Sequence, residues 1–167
     1  MLSFVSEPAG ILGLGLSGPG QQSAKGLGCG FPIGAILATE NVASKISRGD
    51  HGSTFGGNTL ACTVSLAAVS YMLDNDFSKV AEEKGEYLMG KLKEIKSSKI
   101  LEVRGMGLLI GLQLPADFAA GTLSRKLLER GFVAGTASGN VLRLAPPLII
   151  SYEEMDAFVE ALKEEVE

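Results

Sequence analysis

The sequence has no tryptophan, one histidine (His51) and two cysteines, Cys29 and Cys62. A single histidine excludes a multi-histidine metal centre, and no cysteine-cysteine spacing replaces it. Two cysteines make no disulfide framework, so free thiols in a reducing compartment are expected. Long apolar runs are lacking as well, and no segment approaches a membrane span. The first twenty residues are partly apolar but carry no basic stretch ahead of the apolar part, so they read poorly as a secretory signal. A cytoplasmic protein is the expectation. Basic residues do not gather in a stripe. The 15 lysines and arginines against 19 acidic residues give a net charge of −4, and a nucleic-acid surface is not expected.

Glycine, by contrast, is abundant. The 22 glycines among 167 residues are too many for a plain helical bundle and suggest loops that approach ligands or other backbone. A hydrophobic content of 46% and a mean hydropathy of +0.24 describe a globular chain with a real core. Gly13-Leu14-Gly15-Leu16-Ser17-Gly18 fits the dinucleotide glycine pattern formally, but no convincing strand precedes it and Pro19-Gly20 breaks the place of the following helix. A flexible lead-in is the simpler reading of this stretch.

The densest chemistry lies in Ser23 to Ala35. Lys25 stands among small residues with no carboxylate near it in sequence. Glycines follow at 26, 28 and 30, then Phe31-Pro32 and an apolar run. An amine removed from water and from acids loses proton affinity and becomes a usable nucleophile. That is the profile of a Schiff-base lysine, while a surface lysine in a glycine-rich turn has the same pattern.

Two further places hold candidate ligand groups. Ser53 and Thr54 lie between glycines just before a helix expected to start after Asn58, where backbone donors and the helix dipole favour a phosphate. A capped turn explains the same residues. Arg143 lies in a short apolar segment before Ala145-Pro146-Pro147. A buried arginine there needs a carboxylate, either from a ligand or from an internal acid. Arg104 and His51 read as structural, and Glu82, Glu83, Glu86, Glu164, Glu165 and Glu167 as solvated helix faces.

Along the chain, a short buried strand is expected over Phe31–Thr39, a short helix over Glu40–Ser47 and a polar loop over 48–57. Asn58 caps a helix to about Leu73, and a second amphipathic helix spans about Phe77–Lys96. Strands at Ile100–Arg104 and Leu108–Leu114 flank a turn at Gly105-Met106-Gly107. A helix over Thr122–Arg130 stops at Gly131. Strands at Phe132–Ala134 and Val141–Leu144 flank a turn through Gly135–Asn140. Ser151 and Glu154 form a capping box for a last helix with Met155, Phe158, Val159 and Leu162 inward. The order predicts an α/β or α+β layer with a mostly antiparallel carboxy-terminal sheet.

Ala24-Lys25-Gly26-Leu27-Gly28 through Pro32-Ile33-Gly34-Ala35 resembles the segment that carries the cofactor lysine in class III aminotransferases. Gly49–Asn58 with Leu60-Ala61-Cys62, Val103–Gly111 and Leu142–Leu148 resemble further blocks of that family, in its order. The resemblance covers about residues 23–167 and is strongest to acetylornithine and ornithine aminotransferases, which implies a place in arginine biosynthesis; 4-aminobutyrate and diaminopelargonate-type aminotransferases remain open. It implies a fold-type I transferase dependent on pyridoxal 5'-phosphate. Residues 1–22 would be a lead-in, 23–75 a remnant of the large cofactor domain and 76–167 the small carboxy-terminal domain. Lys25 would form the Schiff base, and Thr54 with Ser53 would bind the phosphate of a neighbouring subunit's cofactor, making a homodimer with shared sites. Arg143 would bind the substrate α-carboxylate. The reaction would move an amino group from an ω-amino donor to the 2-oxo acid 2-oxoglutarate. Cys29 stands where the family often has glycine. The family's upstream acid, phosphate-binding turn and stacking aromatic have no counterpart here, and its chains are more than twice as long. The alternative expectation is therefore a non-catalytic fragment with at most an interaction or structural role.

Overall fold

The computed structural model describes residues 20–47, 49–50 and 52–167, with 20–25 described by backbone alone. The Gly13–Gly18 pattern and His51 lie outside the described residues. The chain divides into two compact units, the first ending at Asp76 and the second running Phe77–Glu167.

In the first unit, strand β1 (Gly20–Ala24) pairs antiparallel with β2 (Gly34–Ala38), with Gly20 opposite Ala38 and Ala24 opposite Gly34. β1 is not anticipated by the sequence, because its Gln and Ser residues give no apolar alternation. The expected strand at Phe31 starts later, at Gly34. The Phe31 amide still donates to the Gly28 carbonyl at 2.9 Å, and Pro32 has no N–H for a ladder. Nor is β2 buried: Ile36 is 45% exposed, as expected of a two-stranded ribbon with little to pack against. Helix α1 (Glu40–Ala43) is one turn, shorter than expected. Beyond it the Ser47 amide donates to the Asp50 carboxylate at 2.6 Å, which draws the chain out of helical geometry. Helix α2 (Thr59–Asp74) begins as expected, with the Asn58 side chain accepting from the Ala61 amide at 2.9 Å. It is apolar on all sides, yet only Ala61 and Ser65 are buried. Leu60, Leu66, Tyr71 and Leu73 are exposed.

The second unit is an antiparallel sheet of order β3-β4-β6-β5, built from β3 (Glu102–Met106), β4 (Leu109–Gln113), β5 (Gly135–Ala137) and β6 (Val141–Leu144). Helices α3 (Phe77–Glu94), α4 (Ala120–Glu129) and α5 (Tyr152–Val166) complete it. Ile110, Leu112, Leu142 and Leu144 on one sheet face share a core with Leu88 and Leu92 of α3, Leu123 and Leu127 of α4, and Met155 and Leu162 of α5. The other face carries polar residues and glycines together with the exposed Met106 and Leu109 and the buried Val141. The predicted inward residues of α5 are all buried, and the Ser151–Glu154 capping box is formed in both directions.

Two expectations shift in register. The hairpin turns at Gly107-Leu108, since Met106 is already paired with Leu109. Gly107 takes φ +52°, the left-handed geometry that a two-residue hairpin connection uses. Gly105 instead lies within the strand, where a Cβ would stand 2.5 Å from the Leu109 oxygen. The expected strand at Phe132–Ala134 is replaced by β5. After α4 the Gly131 amide donates to the Leu128 carbonyl and the Phe132 amide to that of Leu127, both at 2.9 Å. This double closure is a Schellman cap, so Phe132 is still committed to the helix end and the strand begins three residues on.

Charged pairs join the helices on the outside. Tyr87 donates its hydroxyl to Asp156 at 2.8 Å, and Lys91 lies 3.3 Å from the same carboxylate. Lys84 donates to the Leu148 and Ile150 carbonyls at 3.2 and 2.5 Å. Glu165 is not a freely solvated residue. Its side chain is 12% exposed and accepts from Lys126 at 2.9 Å and from Arg130 at 2.7 Å, while Arg130 also pairs with Glu164.

Candidate active site

Lys25 opens a short 3-10 helix, Lys25–Gly28, directly after β1. The turn that follows is built from left-handed residues, Cys29 at φ +46° and Gly30 at φ +102°. It reverses the chain so that β2 can pair back on β1. An open pocket of about 510 Å³ lies on this turn, lined by Gly26, Cys29, Gly30, Phe31, Pro32 and Ile33. At Gly26 a Cβ would meet nothing within 4 Å, so a planar group can approach the backbone beside the lysine.

The 3-10 helix is fixed from behind. Ser65 of α2 is buried and donates its hydroxyl to the Leu27 carbonyl at 2.9 Å. Packing against Gly28 is equally tight, because a Cβ there would stand 2.7 Å from Ile33 Cγ2. Sequence reasoning missed Ser65. A serine in an apolar helix was a signal of a buried hydroxyl that needs a partner, but the partner is 38 residues away in sequence.

Ser53 and Thr54 lie at the start of a tight turn that runs into α2. The Gly56 amide donates to the Ser53 carbonyl at 3.1 Å, and the Asn58 amide and side chain both donate to the Phe55 carbonyl. Both residues are exposed. Among the described residues neither hydroxyl has a hydrogen-bond partner. The turn is ordered by its own backbone, which leaves the hydroxyls available to an anion.

Arg143 belongs to the second unit, on β6. It is exposed, contrary to the expectation of a buried arginine. Alternation explains this: Leu142 and Leu144 take the core face, which turns Arg143 to the open one. Among the described residues no carboxylate pairs with it. Arg104 is on the same open face, opposite Gly111, which is itself opposite Arg143. It donates to Glu102 at 2.6 Å and to Gln113 at 3.2 Å, so its charge is already engaged. Gly135 of β5 completes the row on the far side of Arg143. Of the candidates, Lys25, Ser53 and Thr54 are thus in the first unit and Arg143 in the second.

The family model for aminotransferase class III matches residues 21–166. The chain belongs to the class III aminotransferases. It is 45% identical over 143 residues to the acetylornithine aminotransferase of Methanocaldococcus jannaschii, a match that covers 84% of this chain and 35% of that one. Among solved structures, the ornithine delta-aminotransferase of Plasmodium falciparum is similar with a TM-score of 0.82 and 32% identity, over 89% of this chain and 40% of that one. The ornithine aminotransferase of Toxoplasma gondii, which holds PLP at partial occupancy in its active site, gives a TM-score of 0.80 and 31% identity over 89% of this chain and 36% of that one. The chain thus spans about a third of the length of the curated relatives it matches. Class III members are pyridoxal-phosphate-dependent transaminases with mixed helix and sheet folds, and the second unit here has that character. Among the described residues no helix is long and apolar enough to cross a membrane.

Proposed function

We propose that this chain carries the lysine-bearing and carboxylate-binding parts of a cytoplasmic aminotransferase. Its reaction is transfer of an amino group from an ω-amino donor such as N-acetylornithine or ornithine to 2-oxoglutarate, a step of the kind used in arginine biosynthesis. The observation that carries this reading is the turn after Lys25, with left-handed Cys29 and Gly30 and an open pocket beside Gly26. This turn fits pyridoxal phosphate, since a planar aldehyde needs both an amine and unobstructed backbone. Exposed hydroxyls at Ser53 and Thr54 fit its phosphate.

When bound, pyridoxal phosphate supplies an electron sink for charge developing at the substrate carbon. In this reading Lys25 holds the cofactor's aldehyde carbon. Its amine, once released, moves a proton at the carbon that bears the substrate's amino group. Ser53 and Thr54 hold the phosphate, and the family resemblance assigns that phosphate to a neighbouring subunit, so the working unit is a homodimer. Arg143 offers a planar fork to the substrate carboxylate.

A second reading, a non-catalytic module of the same ancestry, is favoured by α2. Its exposed Leu60, Leu66, Tyr71 and Leu73 make an apolar surface of the kind that seeks another polypeptide. One experiment separates the two: the purified chain is mixed with pyridoxal phosphate, reduced with borohydride and mapped by peptide mass spectrometry. A visible band with the adduct at Lys25, lost in Lys25→Ala, supports the transaminase reading. Adducts scattered over surface lysines support the module.

A further inference from the structure

The open sheet face carries a row of four paired residues, Arg104, Gly111, Arg143 and Gly135, on β3, β4, β6 and β5. Arginines alternate with glycines, and only Arg104 has its charge met by a neighbour, Glu102. The geometry at Gly135 is specific. A Cβ built on it would stand 3.4 Å from Nε and 3.5 Å from Nη2 of Arg143, with the guanidinium carbon farther off than either nitrogen. Such a point lies toward the Nε–Nη2 edge of the guanidinium. That edge is one of those with which arginine grips a carboxylate by two parallel hydrogen bonds.

We infer that Gly135 is a positioning residue that keeps the Nε–Nη2 edge of Arg143 open for a carboxylate ligand. Any side chain at 135 fills the space that the ligand's carboxylate needs. Gly111, on the opposite flank, brings no side chain of its own to Arg143, and the place of its Cβ is bordered by Val141 Cγ1 at 3.4 Å. The carboxylate can be that of an amino acid or of a 2-oxo acid, because the edge reads only the charged fork. This inference rests on the proposed carboxylate-binding role of Arg143.

The test is a titration of the full chain with glutarate, a dicarboxylate without amino or oxo groups, followed by the Nε–H resonances of its arginines. In the unsubstituted chain the Arg143 resonance is expected to move saturably and that of Arg104 to stay. Gly135→Ala and Gly135→Ser are expected to weaken binding about ten-fold or more, the scale of one lost charge-assisted hydrogen bond. Thr136→Ala, on the other face of the same strand, is expected to bind as the unsubstituted chain does. Circular dichroism of each variant separates a folding defect from a binding one, and two small substitutions keep the comparison open should either misfold. Equal affinity in the unsubstituted chain and both Gly135 variants would overturn the inference and leave the role of Arg143 standing. An Arg143 resonance that ignores glutarate in the unsubstituted chain would overturn both.

Discussion

Gly85 of α3 lies directly against the backbone of Gly107 in the β3–β4 turn. A Cβ at Gly85 would stand 2.2 Å from the Gly107 carbonyl oxygen and 2.8 Å from its Cα. Helix and hairpin therefore meet backbone to backbone, and the turn glycine and the helix glycine are one packing device.

Gly85→Ala is accordingly expected to destabilise the chain. Alanine gains roughly 1 kcal/mol of helix propensity over glycine, but overpacking against unyielding backbone costs about 1–3 kcal/mol. Gly90, in the same helix, has nothing within 4 Å of its Cβ position. Gly90→Ala should therefore raise the melting temperature while Gly85→Ala lowers it. Thermal unfolding of the two variants checks the sign, and a rise in both would refute the packing argument.

Ser65→Ala should loosen the lysine-bearing 3-10 helix without unfolding α2. The hydroxyl's bond to the Leu27 carbonyl contributes about 1 kcal/mol, and its loss leaves a partly buried acceptor unpaired. Faster amide exchange at Phe31, whose N–H closes the turn on Gly28, is the expected readout, with exchange in α3 unchanged.

Cys29 holds a left-handed backbone at φ +46°. Cys29→Gly should leave stability near its original value, since glycine adopts this geometry freely. Cys29→Val should lose roughly 1–2 kcal/mol, because a β-branched side chain collides with the following carbonyl there. Denaturant titration of both variants tests this, and equal stability would show that the turn is not strained by a side chain.

Acid should destabilise the chain through two carboxylates. Asp156 is held below the usual carboxylate range first by the hydrogen bond from Tyr87 and also by Lys91. Glu165 is held low first by Lys126 and then by Arg130. Both groups bind protons more weakly in the folded chain than in the unfolded one. Their stabilisation is therefore complete above the ordinary carboxylate pKa of about 4 and is lost as pH falls through the depressed folded values. The melting temperature should be level near neutrality and drop below pH of about 4. Tyr87→Phe and Glu165→Gln should each flatten that drop.

Much of the site was legible as residue types. The glycines around Lys25 mark a place where backbone must turn sharply and be approached closely, and the left-handed turn meets that demand. Arg143 stood out in the sequence as an unusual arginine, but its surroundings were not legible. Its apolar neighbours suggested burial, whereas they occupy the opposite face of the strand. Ser65 escaped notice because its partner, Leu27, is remote in sequence, and Gly135 because its pairing with Arg143 depends on the register of the β5–β6 hairpin.

The sequence by itself determined the helix ends: the Asn58 cap, the Ser151–Glu154 box and the Gly131 stop. Each depends on backbone groups within about one turn of the residue concerned, so local order suffices. Tertiary structure alone decided the strand registers, the pairing of β1 with β2, and the row that sets Arg143 between Gly111 and Gly135. Those depend on which strand comes to lie beside which, and a shift of one residue would have turned Arg143 into the core.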